Sequence, residues 1–186
     1  MTDTPNLGVL RRFAAERAAE PPAVAPDDDG ARLAVRFERA YPTSADDLWD
    51  AVTAPERVGR WLGALTGDLR AGGDFLLDMA EPPGTDEDAR NWGHILECEP
   101  SRRLLVTWEA RGQATSQVEV IASAVGHQAL LTLDHRDLSE PSARGYGAGW
   151  HSFLDRLEND LAGRQHADWT SEFERYLVIY RALPIT

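Results

Sequence analysis

The sequence predicts an α+β fold in which a curved antiparallel sheet wraps around a long C-terminal helix. Three patterns predict it: a first strand with alternating apolar residues, two short helices directly after it, and a run of alternating strands that ends in a long amphipathic helix. Short connections between the strands favour antiparallel neighbours. The sheet and the long helix each have one apolar face, so they must cover each other.

Composition narrows the classes of partner. The chain has 186 residues and a net charge of −12, from 31 acidic and 19 basic residues. This acidic balance opposes binding to nucleic acid or to an anionic membrane surface, since both attract clustered cations. No apolar run reaches membrane-spanning length, and the N-terminus lacks a secretory signal pattern. With a single cysteine, Cys98, internal disulfides are excluded, and we expect a cytoplasmic protein.

The sequence divides the chain into three parts. Residues 1–30 are interpreted as a short amphipathic helix, over 7–19, followed by an acidic, proline-rich linker. Residues 31–164 form the domain, and residues 165–186 form a C-terminal amphipathic helix extension. The apolar stripe of that extension must dock, either on this domain or on a second copy, which leaves monomer and homodimer open: Trp169, Phe173, Leu177 and Tyr180.

The stretch WDAVTAPERVGRWLG, residues 49–63, predicts two short helices that meet at a tight corner. Thr53 is a candidate N-cap of the second helix, in a capping box that precedes an apolar run. Trp49 and Trp61 are interpreted as core anchors rather than as ligand contacts.

Alternation assigns an inner face to each strand after this corner, and helical spacing does the same for the long helix. The inner face is apolar and aromatic with a few polar groups, which describes a small-molecule pocket and equally a filled core. Cys98 shares this face and is interpreted as a small buried apolar residue. The predicted cavity-lining, ligand-binding candidates are Phe75, Leu77, Met79, Trp92, His94, Leu96, Trp108, Val118, Val120, Leu131, Leu133, His135, Trp150, Leu154 and Leu157.

Five segments together resemble a known superfamily: RFERAYPTSADDLWDAVTAPERVGRWLG, DLRAGGDF, GHILECEPSRRLLVTWE, LLTLDH and GYGAGWHSFLDRLENDL. The set resembles the helix-grip, START-like (SRPBCC) superfamily, and within it the group named for the activator of heat shock protein 90 ATPase. The resemblance extends roughly from Leu33 to Leu161. It implies a START/Bet v 1-like fold in which the two short helices support one end of the long helix.

No catalytic signature is present: the sequence has no G-x-S-x-G, no Walker-type loop and no H-E-x-x-H. We therefore expect no catalytic residue, no metal and no cofactor. The segment GYGAG, residues 145–149, is interpreted as a flexible start of the last helix rather than as a nucleotide loop.

Two histidines, His94 and His135, alternate in phase with the apolar residues of their strands and are therefore predicted on the apolar face. An imidazole there needs a polar partner or water. Two interpretations stay open: a hydrogen-bonded structural histidine, or a polar pocket group that orients a ligand or transfers a proton. His151, beside Trp150, could join them.

Three functions follow, in order of preference. The first is binding of a hydrophobic or amphipathic small molecule between the sheet and the long helix. The second, implied by the resemblance, is activation of a chaperone ATPase through protein interaction. The third is an enzyme, such as a cyclase or hydrolase, because related folds carry such activities and fold does not fix function.

Overall fold

The computed structural model describes residues 7–13 and 32–186. In these two ranges the chain forms eight strands, four α-helices and one short 3₁₀ turn, Glu87–Ala89. The strands are β1 Val9–Phe13, β2 Arg32–Tyr41, β3 Ala64–Gly67, β4 Asp74–Asp78, β5 Arg90–Glu99, β6 Arg103–Ala110, β7 Ser116–Val125 and β8 Gln128–Leu138. The helices are α1 Ala45–Thr53, α2 Pro55–Val58, α3 Glu140–Leu161 and α4 Trp169–Ala182.

All strands belong to one antiparallel sheet in the order β1-β2-β8-β7-β6-β5-β4-β3. The first long strand, β2, pairs with the last strand, β8, so strands from the two ends of the domain are neighbours next to the β1 edge of the sheet. The predicted α+β layout, with a curved antiparallel sheet and a long C-terminal helix, is confirmed. Among the described residues, no helix is long and apolar enough to cross a membrane.

The N-terminal segment differs from its prediction. Residues 7–13 contain the edge strand β1 and not a helix, and Leu10 lies opposite Val35 of β2. The other edge of β1 bonds to the chain end, since Thr186 N donates to Leu10 O at 3.0 Å. Backbone pairing on both sides overrides the helical spacing of the apolar residues. Residues 14–30, with the rest of the predicted helix and the linker, lie outside the described residues, and the three-part division stays a prediction.

The cap predicted at the corner of the two short helices is wrong. Thr53 is the last residue of α1, and its hydroxyl donates back to Trp49 O at 2.7 Å. Ala54 holds the N-cap position of α2 and contributes no side-chain bond. Pro55 needs no N–H partner in the first turn, which makes a side-chain cap less necessary there.

The two tryptophans of the corner are anchors, as predicted. Trp49 and Trp61 retain only 7% and 4% of their exposure. The Trp61 indole also donates to Ala51 O at 2.9 Å, which ties the segment after α2 to α1.

Strand β5 has the opposite parity to the one predicted. Phe75 and Leu77 are buried on the inner face of β4, and they lie opposite Gly93 and Asn91 of β5. Directly opposed residues share a face, so the intervening side chains of β5 point outward: Trp92, His94 and Leu96. A bulge between Ile95 and Glu97 then reverses the phase and returns Cys98 to the inner side.

The glycines of GYGAG lie inside α3 and not at its start, which corrects that prediction. The helix begins at Glu140, capped by Ser139, whose hydroxyl accepts from Ser142 N. Gly147 instead permits close packing, because a Cβ there would lie 2.4 Å from Tyr180 of α4.

Helix α4 docks on its own domain, along α3. Its Tyr176 and Tyr180 are buried, with 4% and 0% exposure. Arg144 of α3 donates to Tyr180 O at 2.6 Å and to Leu183 O at 3.1 Å, so it satisfies carbonyls at the end of α4.

We predict opposite effects for alanine at two glycines of α3. Gly147→Ala should lower the free energy of unfolding by about 1–3 kcal/mol, because its methyl group displaces Tyr180. Gly145→Ala, with open space around its Cβ, should raise it by about 0.5–1 kcal/mol through lower backbone entropy in the unfolded chain. Urea unfolding of both variants measures the difference, and equal effects would contradict this packing.

Candidate functional site

An apolar cavity of about 130 Å³ lies between the sheet and α3. The corner of α1 and α2 covers one side of it, and the inner faces of six strands form most of the wall. Its lining residues are Val52, Thr53, Val58, Trp61, Leu62, Leu65, Leu69, Phe75, Leu77, Ile95, Cys98, Leu104, Val106, Trp108, Val118, Val120, Leu131, Leu133, Trp150 and Leu154.

The structure brings many of the predicted residues together on this wall, and adds Cys98 from the same predicted face. Whether they contact a ligand stays a prediction. Those on the wall are Phe75, Leu77, Trp108, Val118, Val120, Leu131, Leu133, Trp150 and Leu154.

The remaining candidates lie elsewhere. Trp92, His94 and Leu96 are exposed on the outer face, because the parity of β5 is reversed. Met79 follows β4 and packs, partly buried, against the core. Leu157 and His135 are fully buried in the described core and do not line the cavity: their exposures are 0%.

The corner of α1 and α2 contributes a part of the wall that was not among the predicted candidates. The resemblance implied that this corner supports the long helix, but its residues Val52, Val58, Trp61 and Leu62 also face the cavity. Their helical apolar spacing was visible, but only the fold shows that this spacing points to the same space as the strands. Ile95 was not predicted to face inward, because it alternates out of phase with Trp92 and Leu96, which were assigned to the inner face of β5.

His135 is held neutral by a chain of hydrogen bonds. The Trp150 indole, which can only donate, donates to His135 Nδ1 at 3.0 Å, so the ring proton lies on Nε2. Nε2 donates to Ser116 Oγ at 2.8 Å, and this hydroxyl donates to Trp108 O at 3.1 Å. Burial lowers the pKa of His135 to about 3. Both ring nitrogens are therefore engaged within the protein.

The other two histidines, His94 and His151, lie in different environments. His94 is exposed and pairs with the Asp74 carboxylate on the outer face of the sheet. His151 is buried between α3 and α4, stacked on Tyr176 at a centroid distance of 3.6 Å, with Nδ1 3.2 Å from the Tyr180 hydroxyl. Burial lowers its pKa to about 4. Among the described residues, no three His, Cys, Asp or Glu side chains meet as a metal site.

One cluster of buried charged and polar groups joins β2, α3 and α4. Arg39 of β2 is 3% exposed and pairs with Asp155 of α3 at 2.6 Å. The Tyr176 hydroxyl donates to the second oxygen of Asp155 at 2.5 Å, which links α4 to the pair. We call Arg39, Asp155, Tyr176 and His151 the α3–α4 polar cluster. Its residues do not line the apolar cavity.

A family profile described as "Activator of Hsp90 ATPase homolog 1-like protein" matches residues 42–162, from the start of the two short helices to the end of α3. The chain belongs to this family. Its helix-grip, SRPBCC-type fold, expected from the sequence, is thereby confirmed. Comparison with curated protein sequences gives no match.

Solved structures of this fold include CalU16 from Micromonospora echinospora, which is 29% identical, with a TM-score of 0.73 over 95% of this chain and 96% of that one. A protein encoded by gene BPP1335 from Bordetella parapertussis is 25% identical, with a TM-score of 0.67 over 91% and 97% of the two chains. DynU16, a protein in the dynemicin biosynthetic locus, is 28% identical, with a TM-score of 0.61 over 75% of this chain and 49% of that one.

The buried histidines predict a loss of stability in mild acid. Both folded pKa values lie below the unfolded value of 6.5, so the unfolded chain binds more protons, and stability falls as pH drops below 6.5. Between pH 6.5 and about 4 we expect a slope of up to about 1.4 kcal/mol per pH unit for each histidine.

Urea unfolding across this pH range measures the slope, in wild type and in His135→Phe and His151→Phe. Each variant should have a lower free energy of unfolding at pH 7. It should also lack the contribution of the replaced histidine to the pH dependence of that free energy. A slope that is unchanged in both variants would contradict the neutral, buried state of these rings.

Proposed function

We propose that this protein binds a hydrophobic small molecule in the apolar cavity between its sheet and α3. The observation that carries the proposal is the cavity itself: about 130 Å³ of space with an aliphatic and aromatic wall. Small-molecule sites are concave and mostly apolar. Side chains that line an unfilled apolar space lack partner atoms on that side and lose the corresponding dispersion contacts. A bound apolar molecule would restore the missing contacts.

The wall also reaches the surface. Leu69, in the connection between β3 and β4, lines the cavity while 37% of it is exposed. Leu62 and Leu65 of the same wall are partly exposed. This side, between the α1–α2 corner and the connection of β3 and β4, is therefore the proposed route of entry.

The relatives add support of a general kind. DynU16 is described as a protein in the dynemicin biosynthetic locus. A protein encoded in a biosynthetic locus is placed to encounter the small molecules made there. The likeness in fold and sequence favours a small-molecule role for this chain too.

A pair of neighbouring variants tests the cavity. Val120 lines it, whereas Ile121, the next residue of β7, has the opposite parity and does not. Val120→Phe should fill part of the cavity and weaken binding of an apolar probe, toluene, at least about tenfold, because overpacking a filled space costs about 1–3 kcal/mol. Ile121→Phe should leave toluene binding unchanged.

Calorimetric titration with toluene measures both affinities, and native mass spectrometry of gently purified wild type shows whether a small molecule copurifies. Absence of toluene binding in wild type, or equal weakening by both variants, would contradict a ligand cavity.

A second candidate function is protein interaction with a chaperone ATPase, which the family description names. One observation favours it: the outer face of the sheet exposes three large apolar side chains, Leu76, Trp92 and Leu96, at 39%, 38% and 43%. Exposed apolar patches of this kind are typical of partner surfaces.

The two functions predict different sensitive residues. In the interaction role, the protein stimulates the ATPase of an Hsp90-type chaperone, Trp92→Ala reduces the stimulation severalfold, and Val120→Phe leaves it unchanged. A steady-state ATPase assay measures this. No stimulation by wild type at any concentration would exclude the interaction role.

A further inference from the structure

The cavity wall carries no formal charge. Among the described residues that line it, none is Asp, Glu, Arg, Lys or His. An ionised group brought into such a space loses its water and gains no opposite charge in return. His135 contacts the rings of the wall residues Trp108 and Trp150, but both of its nitrogens are engaged, so it offers a ligand no free nitrogen.

The polar groups of the wall are mostly used within the protein. The indoles of Trp61 and Trp150 donate to a backbone carbonyl and to a histidine nitrogen. The indole N–H of Trp108 is buried without a hydrogen bond of good geometry, beside the Tyr146 hydroxyl. The thiol of Cys98 is a weak donor. Such neutral donors can bond to one ligand oxygen, but they cannot balance a full negative charge.

Shape and size favour a flat ring. Four aromatic side chains line the cavity, and Trp108 stands 6.1 Å from Phe75 and 5.3 Å from Trp150 between ring centroids. A pair of aromatic rings is stabilised by more than the apolar area that it buries. The volume of about 130 Å³ is close to the roughly 150 Å³ of a dry engineered cavity that holds benzene.

We infer that the cavity selects an uncharged molecule that inserts one flat ring, and that it excludes the ionised acid of the same shape. The inference rests on the proposed function and narrows it from hydrophobic or amphipathic ligands to neutral aromatic ones. It excludes ligands that bury a carboxylate or a phosphate between the sheet and α3.

The chain supplies its own reporter for this choice. Cys98 is the sole cysteine of the sequence and lines the cavity. We therefore expect its rate of alkylation by iodoacetamide, followed by intact-protein mass spectrometry, to fall when a ligand occupies the cavity.

Three one-ring probes at pH 7 separate shape from charge: toluene, benzamide and benzoate. Benzamide and benzoate are nearly isosteric, but only benzoate is ionised. We expect toluene and benzamide to slow alkylation of Cys98 saturably, whereas benzoate needs at least about 100-fold higher concentration for the same protection. The rise in Tm with the same three compounds is a second readout that does not require the thiol to be reachable.

The outcomes distinguish two claims: that the cavity binds a ligand, and that it selects uncharged ligands. Benzoate protecting as well as benzamide would overturn the charge selection and leave cavity binding intact. No protection and no rise in Tm with any probe would overturn the proposed function, and the inference with it. In Val120→Phe, toluene and benzamide should no longer slow the alkylation of Cys98 or raise the Tm. In Ile121→Phe, both effects should remain. Protection that persists in Val120→Phe would place the probes outside the cavity and contradict the inference.

Discussion

The hydrogen bond from Trp150 to His135 is the interaction on which the geometry of the cavity depends. It fixes α3 over β8, and through Ser116 and the carbonyl of Trp108 it extends to β7 and β6. Removing one partner would leave a buried polar atom unsatisfied, at a cost of about 1–3 kcal/mol. Because Trp108 and Trp150 belong both to this chain of bonds and to the wall, the same bonds set the spacing of the aromatic surfaces. His135 thus has a structural role.

The α3–α4 polar cluster and the cavity use different side chains of α3: His151 and Asp155 in the cluster, Trp150 and Leu154 in the cavity wall. In the cluster, the buried Arg39 is paired to Asp155. The cavity wall has no charged residue. Arg39 is buried, whereas its partner Asp155 is partly exposed. Tyr176 bonds to Asp155, and Tyr180 packs closely against Gly147, so both tyrosines hold α4 on α3.

The sequence predicted the faces of those elements whose apolar residues follow a single repeat, every second residue in a strand or every three to four residues in a helix. Val118 of β7, Leu133 of β8 and Leu154 of α3 are buried on the faces assigned to them. Strand β5 failed because apolar residues occupy both of its parities, so the register with β4 and the bulge after Ile95 decide its faces. Segment 7–13 failed because its pairing partners, β2 and the chain end, are remote in the sequence. The partners of His135 were equally hidden, since only tertiary contact brings Trp150 and Ser116 to one ring.

The proposed function requires that the apolar space between the sheet and α3 is open to a small molecule. Crystals of the protein under xenon pressure test it most directly, because xenon enters dry apolar cavities without a hydrogen bond or a charge. The account predicts a xenon peak among Trp108, Val118 and Trp150, with the surrounding side chains unmoved. A core with no xenon, in which these side chains close the space, would contradict it.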